Sequence, residues 1–181
     1  MRDVSPDKIP NKKMIDPKSL IRELITFVQN PIAKITDLPD WNWPSVFTVQ
    51  ILLALASGIL AGLIKLNFYR VLYGLFLMPI VTTVGALLLA LFIYYYFQFM
   101  ESRTESYRKI FILVILSLIP FYIFQIVSEY FAPITLIGFG FTSLLAIVGL
   151  HENFKVEKKR AYFLIGILFI FVLLAWITNR D

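Results

Sequence analysis

"YRVLYGLFLMPIVTTVGALLLALFIYYYFQFM", residues Tyr69 to Met100, contains a single charged side chain, Arg70, at its second position. An apolar run of about 18 residues or more is long enough to cross a bilayer as a helix. At about 1.5 Å per residue this one exceeds a hydrocarbon core of about 30 Å. It therefore has to tilt, kink at Pro79, or extend its tyrosine-rich end past the membrane. Three consecutive tyrosines prefer the interface, which favours the extended end.

Four similar segments flank it: Pro44 to Ile64, Ile110 to Val127, Ala132 to Leu150 and Ala161 to Ile177. The 181-residue chain is 59% hydrophobic and only 16% charged, with a mean hydropathy of +0.76. A soluble domain of this length needs a polar shell that such a composition does not supply. The expected fold class is an all-α membrane protein with five transmembrane helices over residues 44–178.

The text ahead of the first span differs. Residues 1–15 are polar, carry two prolines and lack periodicity, as expected of a disordered cytosolic tail. Residues 16–43 form an amphipathic interfacial segment. Asp16 is a candidate cap and Pro17 suits a first helical position. Leu20, Ile21, Leu24, Ile25 and Val28 then recur at helical spacing until Asn30-Pro31. This helix has two resting places open to it, the headgroup region or the underside of the bundle. Trp41 and Trp43 stand where an interfacial aromatic belt should begin. No cleaved targeting peptide is expected, because the first forty residues hold no apolar run of signal type.

Basic residues set the orientation. Those before the first span, those after the second (Arg103, Arg108, Lys109) and those after the fourth (Lys155, Lys158, Lys159, Arg160) place fourteen of the seventeen on one face. Lys65, Arg70 and Arg180 fall on the other. The bias points to a cytoplasmic N-terminus and an external C-terminus. The net charge of +5 is explained by these loops beside anionic lipid, so no nucleic-acid partner is expected. There is no cysteine, which removes disulfides and thiolate metal sites. No internal repeat of transporter type is present.

"VGLHENFKVEKKRAY", Val148 to Tyr162, begins like a zinc-protease motif, since His151 precedes Glu152. That chemistry needs a second histidine one helical turn on, and the position holds Lys155. No catalytic residue, metal ligand or cofactor is expected. His151 reads as the last turn of the fourth helix, at the negative end of its dipole. No Asp, Glu, Lys or Arg lies at mid-membrane depth, where proton relays and coupled carriers place one. Glu129 falls in the outer loop after the third span.

Three groups of residues remain as candidates for contact. Lys155, Lys158, Lys159 and Arg160 are placed to hold an anionic headgroup or a partner, with Phe154 between the lipid tails. Gly58 and Gly62 form a GxxxG pair that serves either intramolecular packing or a homodimer seam. Thr82, Thr83, Ser117 and Thr142 are candidates for a polar pocket between the spans. The other reading of these hydroxyls is interhelical hydrogen bonding or satisfaction of backbone near Pro79 and Pro120.

"FVQNPIAKITDLPDW" (Phe27–Trp41), "ESRTESYRKIFILVILSLIP" (Glu101–Pro120) and "IVGLHENFKVEKKRAYFLI" (Ile147–Ile165) together resemble the Yip domain, the Ypt-interacting-protein family of five-span membrane proteins. The third is the most specific, with Gly149-Leu150, a polar basic hinge and Ala161 opening the last helix. The resemblance implies an integral membrane protein with no known catalytic activity that acts in membrane organisation or trafficking through partners. Eukaryotic members are linked with prenylated Rab-type GTPases. This sequence lacks their Asp-Leu-Tyr-Gly-Pro type segment and has "LPDWNWP" instead, so GTPase binding does not carry over. It looks like a prokaryotic-type member, which implies a bacterial cytoplasmic membrane. The expected function is a non-enzymatic scaffold or organiser with membrane lipids and membrane or peripheral proteins as partners. The alternative is a small transporter or channel, for lipid among other solutes.

Overall fold

The computed structural model describes residues 17–178 apart from 129 and 132. The expected tail, Asp16 and Glu129 lie outside the described residues. The elements are α1 (Pro17–Gln29), α2 (Pro31–Ile35), α3 (Trp43–Ile64), α4 (Phe68–Met100), α5 (Tyr107–Ser117), α6 (Ile119–Ser128), α7 (Ile134–Phe154) and α8 (Lys158–Thr178), with no strand among the described residues.

Asparagines open three of these helices. Asn30 caps α2, Asn42 caps α3 and Asn67 caps α4, each accepting a hydrogen bond from the backbone N–H three residues on. Each side chain satisfies a donor that a helix start leaves open. The first two caps also have proline in the opening turn, where its missing N–H is not needed.

Among the described residues, four passes are long and apolar enough to cross a membrane: α3, α4, α5 with α6, and α7. The third is interrupted at Leu118, where Pro120 cannot donate to the Leu116 carbonyl. That break gives its halves different neighbours. α5 packs between α4 and α7, whereas α6 packs between α3 and α7. α4 remains helical through Pro79 for 33 residues. Its exposed face carries Phe76, Ile80, Val84, Leu88 and Phe92 at four-residue spacing, an apolar stripe suited to lipid. α8, 21 residues long, packs on α7.

The core lies around α5, where every residue from Ile110 to Ser117 is buried. Phe97 of α4, Leu145 and Leu150 of α7, and Ala161 and Leu164 of α8 close on it. α1 divides its apolar residues. Leu20 and Phe27 are buried in the bundle, while Ile21, Ile25 and Val28 are about half exposed. Trp41, a candidate for the interfacial belt, is enclosed by the protein. Its ring is buried, because its indole N–H donates to Glu23 Oε2 at 2.7 Å and so can leave the water. Trp43 is partly exposed and packs on Phe47, Tyr107 and Phe111.

Candidate functional site

One end of the bundle collects three stretches that are far apart in sequence: residues 36–42, the α4–α5 loop and the α7–α8 hinge. Arg108 Nη2 lies 2.9 Å from Asp40 Oδ1, tying the first span's approach to α5. Arg160 Nη1 lies 3.0 Å from Glu101 Oε1, tying the start of α8 to the end of α4. Tyr96 donates to the same Glu101 oxygen at 3.2 Å. The hydrogen bond and the attraction of Glu101 both raise the Arg160 guanidinium above its ordinary value.

Arg103 is the centre of the loop. It donates to the Phe154 carbonyl, pairs with Glu105 at 3.1 Å and lies over the Phe97 ring. Asn153 brackets the segment after α2. Its amide donates to the Ile35 carbonyl at 2.7 Å and the Gly149 carbonyl at 3.0 Å, and its oxygen accepts from Leu38 N at 3.2 Å. Gly149 permits this approach, since a Cβ there would lie 2.1 Å from Leu113 Cδ1 and 3.1 Å from Ile35 Cγ1. His151 closes the hinge, with Nδ1 2.8 Å from the Val156 carbonyl, which requires the proton on Nδ1. No group of three or more His, Asp or Glu suited to one metal ion occurs among the described residues.

The four basic candidates are not equivalent. Arg160 is held by Glu101 and lies 3.6 Å from Glu157. Lys155, Lys158 and Lys159 are exposed and have no ion pair among the described residues. Lys159 and Arg160 border an open concavity with Tyr96, Met100, Glu157 and Phe163, which pairs cations with apolar walls. Phe154 does not reach toward lipid tails as expected. It is buried, with its ring centroid 5.4 Å from that of Phe97, because Arg103 draws the end of α7 onto α4.

The glycine pair is used inside the chain. A Cβ on Gly58 would lie 2.6 Å from Gly74 Cα, and one on Gly62 would lie 2.6 Å from Val71 N, so α3 and α4 meet backbone to backbone.

The four hydroxyl candidates do not form one pocket. Ser117 and Thr142 line a cavity of about 180 Å³ bounded by α4, α5, α7 and α8. Thr82 lines an adjoining cavity of about 280 Å³ that shares Leu89, Leu118, Phe139 and Val172 with the first. Thr83 lines neither, and its hydroxyl is buried without a partner. The polar contact that the sequence did not pick out is Gln50 with Tyr122. The amide nitrogen lies 2.7 Å from the phenol oxygen and 3.5 Å from Thr82 Oγ1, and Ser57 donates to the Tyr122 carbonyl at 2.8 Å. A tyrosine two residues after a proline inside a span was the available signal.

A family model described as Yip1 domain matches residues 25–178. No curated protein matches the chain, and no solved structure does.

Proposed function

The chain belongs to the Yip1 domain family, and from that premise we propose that it is a non-enzymatic, multi-pass membrane scaffold whose charged end is its contact face. The observation that carries this reading is the division of labour among the cations at that end. Arg103, Arg108 and Arg160 are engaged in holding three chain segments together, whereas Lys155, Lys158 and Lys159 stand exposed beside them. A rigid base presenting unneutralised ammonium groups suits anionic lipid headgroups and acidic faces of membrane or peripheral proteins.

In this reading α8 is a fifth span, supported by its 21 residues of mostly apolar sequence, about 30 Å of helix. The charged end then faces the cytoplasm of a prokaryotic cell, and the C-terminus lies outside. The amphipathic α1 rests at the same surface with Ile21, Ile25 and Val28 toward lipid. Both cavities between the spans have mainly apolar walls, which favours this role over passage of a polar solute.

The absence of cysteine allows a clean test of placement. Single cysteines at Lys158 and Thr178 should react with an impermeant maleimide from opposite sides of sealed vesicles, and reaction from the same side would remove the fifth span. For the role itself, the protein is purified with its native lipids and bound proteins. Replacing Lys155, Lys158 and Lys159 by glutamate should release an otherwise stoichiometric partner or anionic lipid at unchanged thermal stability. Recovery of a transported solute and no partner would overturn the scaffold reading.

A further inference from the structure

Three hollows follow one another along the gap between α4 and α8. The first is the open concavity at the charged end, about 740 Å³, where Tyr96 and Met100 of α4 meet Glu157, Lys159, Arg160 and Phe163. The second lies deeper and sets Leu89 and Ile93 of α4 opposite Ile165, Leu168 and Val172 of α8. The third continues past Leu89 and Val172 to Gly85 and Thr82. On α4 the bordering residues Met100, Tyr96, Ile93, Leu89 and Gly85 recur at three- and four-residue spacing, so they make one helix face. The gap is open because α8 is seated on α7 and does not pack closely against α4.

The chemistry changes along that line. The two deeper hollows have mainly hydrocarbon walls, and the hydroxyl oxygens of Ser117 and Thr142 are covered and do not open into them. The concavity instead carries charge of both signs. Arg160 is held by Glu101 at 3.0 Å. Lys159 has no ion pair among the described residues, and the Glu157 side chain, 67% exposed, lies 3.6 Å from the Arg160 Nε. One ammonium and one carboxylate therefore stand ready in the same hollow, above a cleft lined by hydrocarbon.

We propose that this cleft holds one molecule of phosphatidylethanolamine, with its headgroup in the concavity and an acyl chain running between α4 and α8. The phosphate meets Lys159, and the primary ammonium donates to Glu157. An anionic headgroup would put its negative charge against Glu157, and a choline headgroup has no N–H to give it. The length also agrees. From Phe163, in the concavity, to Val172, shared by both deeper hollows, α8 rises about 14 Å at about 1.5 Å per residue. That is close to half of a hydrocarbon core of about 30 Å, the depth one leaflet supplies. Such a lipid needs α8 to cross the bilayer, so the site rests on the fifth-span reading, which the maleimide experiment judges by itself.

The test uses the full chain in phosphatidylcholine vesicles containing a phosphatidylethanolamine with a diazirine on one acyl chain. Label should map to residues 89–93 of α4 and 165–172 of α8. Unlabelled phosphatidylethanolamine should compete about tenfold better than phosphatidylglycerol or added phosphatidylcholine, as one charge-assisted hydrogen bond allows. Glu157→Gln should erase the preference over phosphatidylglycerol, and Lys159→Met should weaken labelling by a similar factor. Gly85→Leu, whose Cβ meets nothing within 4 Å, fills the far end of the cleft without a collision and should drive label away from Val172. Lys155 and Lys158 do not border the concavity. Replacing those two by glutamate should leave labelling as it was, so the scaffold reading and this site fail separately. Each variant is compared at a melting temperature within a few degrees of the parent, and the exposed Glu157 and Lys159 suffice if Gly85→Leu does not fold. Label spread along the exposed stripe of α4 from Phe76 to Phe92 would overturn the proposal. So would equal competition by the three lipids, a preference unchanged in Glu157→Gln, or tighter binding of phosphatidylglycerol, which would make this an anionic-lipid site.

Discussion

Gly58 of α3 and Gly74 of α4 are in mutual backbone contact: a Cβ on Gly58 would lie 2.6 Å from Gly74 Cα, and one on Gly74 would lie 2.3 Å from the Gly58 carbonyl carbon. Neither collision can be relieved by turning a side chain. Gly58→Val should therefore push α3 and α4 apart and destabilise the fold by about 1–3 kcal/mol or more, as overpacking does. Thermal unfolding in detergent measures it. Because the contact is within one chain, the substitution should change melting temperature and leave the oligomeric state of the surviving protein as it was. A shift from dimer to monomer at unchanged melting temperature would restore the intermolecular reading.

Lys155 ends α7 in the left-handed region, with φ 54 and ψ 31. A side chain there is disfavoured by roughly 1 kcal/mol, and glycine is not. Lys155→Gly should raise stability by about 0.5–1 kcal/mol, and Lys155→Val should lower it by at least as much. If Lys155 also contacts a headgroup, Lys155→Gly will weaken binding to anionic vesicles while it stabilises the protein. Unfolding and vesicle sedimentation on the same variant separate the two effects.

Asn153 holds residues 35–38 to α7 through both ends of one amide. Asn153→Ala removes two donors and an acceptor and should cost about 1–3 kcal/mol. Asn153→Asp keeps the acceptor for Leu38 N and loses the donors to Ile35 and Gly149. The loss should be local, with faster amide exchange at residues 36–42 and little change in the middle of α5. Uniform acceleration across the bundle would show that Asn153 supports the whole core.

The all-α membrane class and four of the five expected passes were legible because a bilayer imposes a long apolar run. The asparagine caps at Asn42 and Asn67 and the break at Pro120 were not anticipated, the third span being expected as one run from Ile110 to Val127. The ends of the bundle were harder to read. Asp40 and Arg108 are 68 residues apart, and Glu101 and Arg160 are 59 apart, so only packing decides that these acids meet these cations. Trp41 had the composition of an interfacial residue and became buried because Glu23, eighteen positions earlier, supplies its indole with an acceptor. The hydroxyl set divided for a similar reason. Thr82 faces α3 and Tyr122, whereas Ser117 and Thr142 face the gap beside α8, and no periodicity within one helix specifies which neighbour another helix brings.

Gln50 and Tyr122 form the polar contact at the centre of the α3–α6 interface, with Gln50 fully buried. Tyr122→Phe removes the phenol and leaves the amide of Gln50 with only Thr82, at 3.5 Å. Such pairs in membrane proteins couple by about 0.6 kcal/mol on average and up to about 1.7, but a buried group stranded by loss of its partner costs about 1–3 kcal/mol. The single variant should therefore lose more stability than Tyr122→Phe combined with Gln50→Leu, which removes both polar ends. The coupling is read from unfolding midpoints of the four proteins in the double-mutant cycle. Additive losses would mean that the two side chains are satisfied independently, and the interface would then be held by its packing alone, through Ala54, Met78 and the Tyr122 ring.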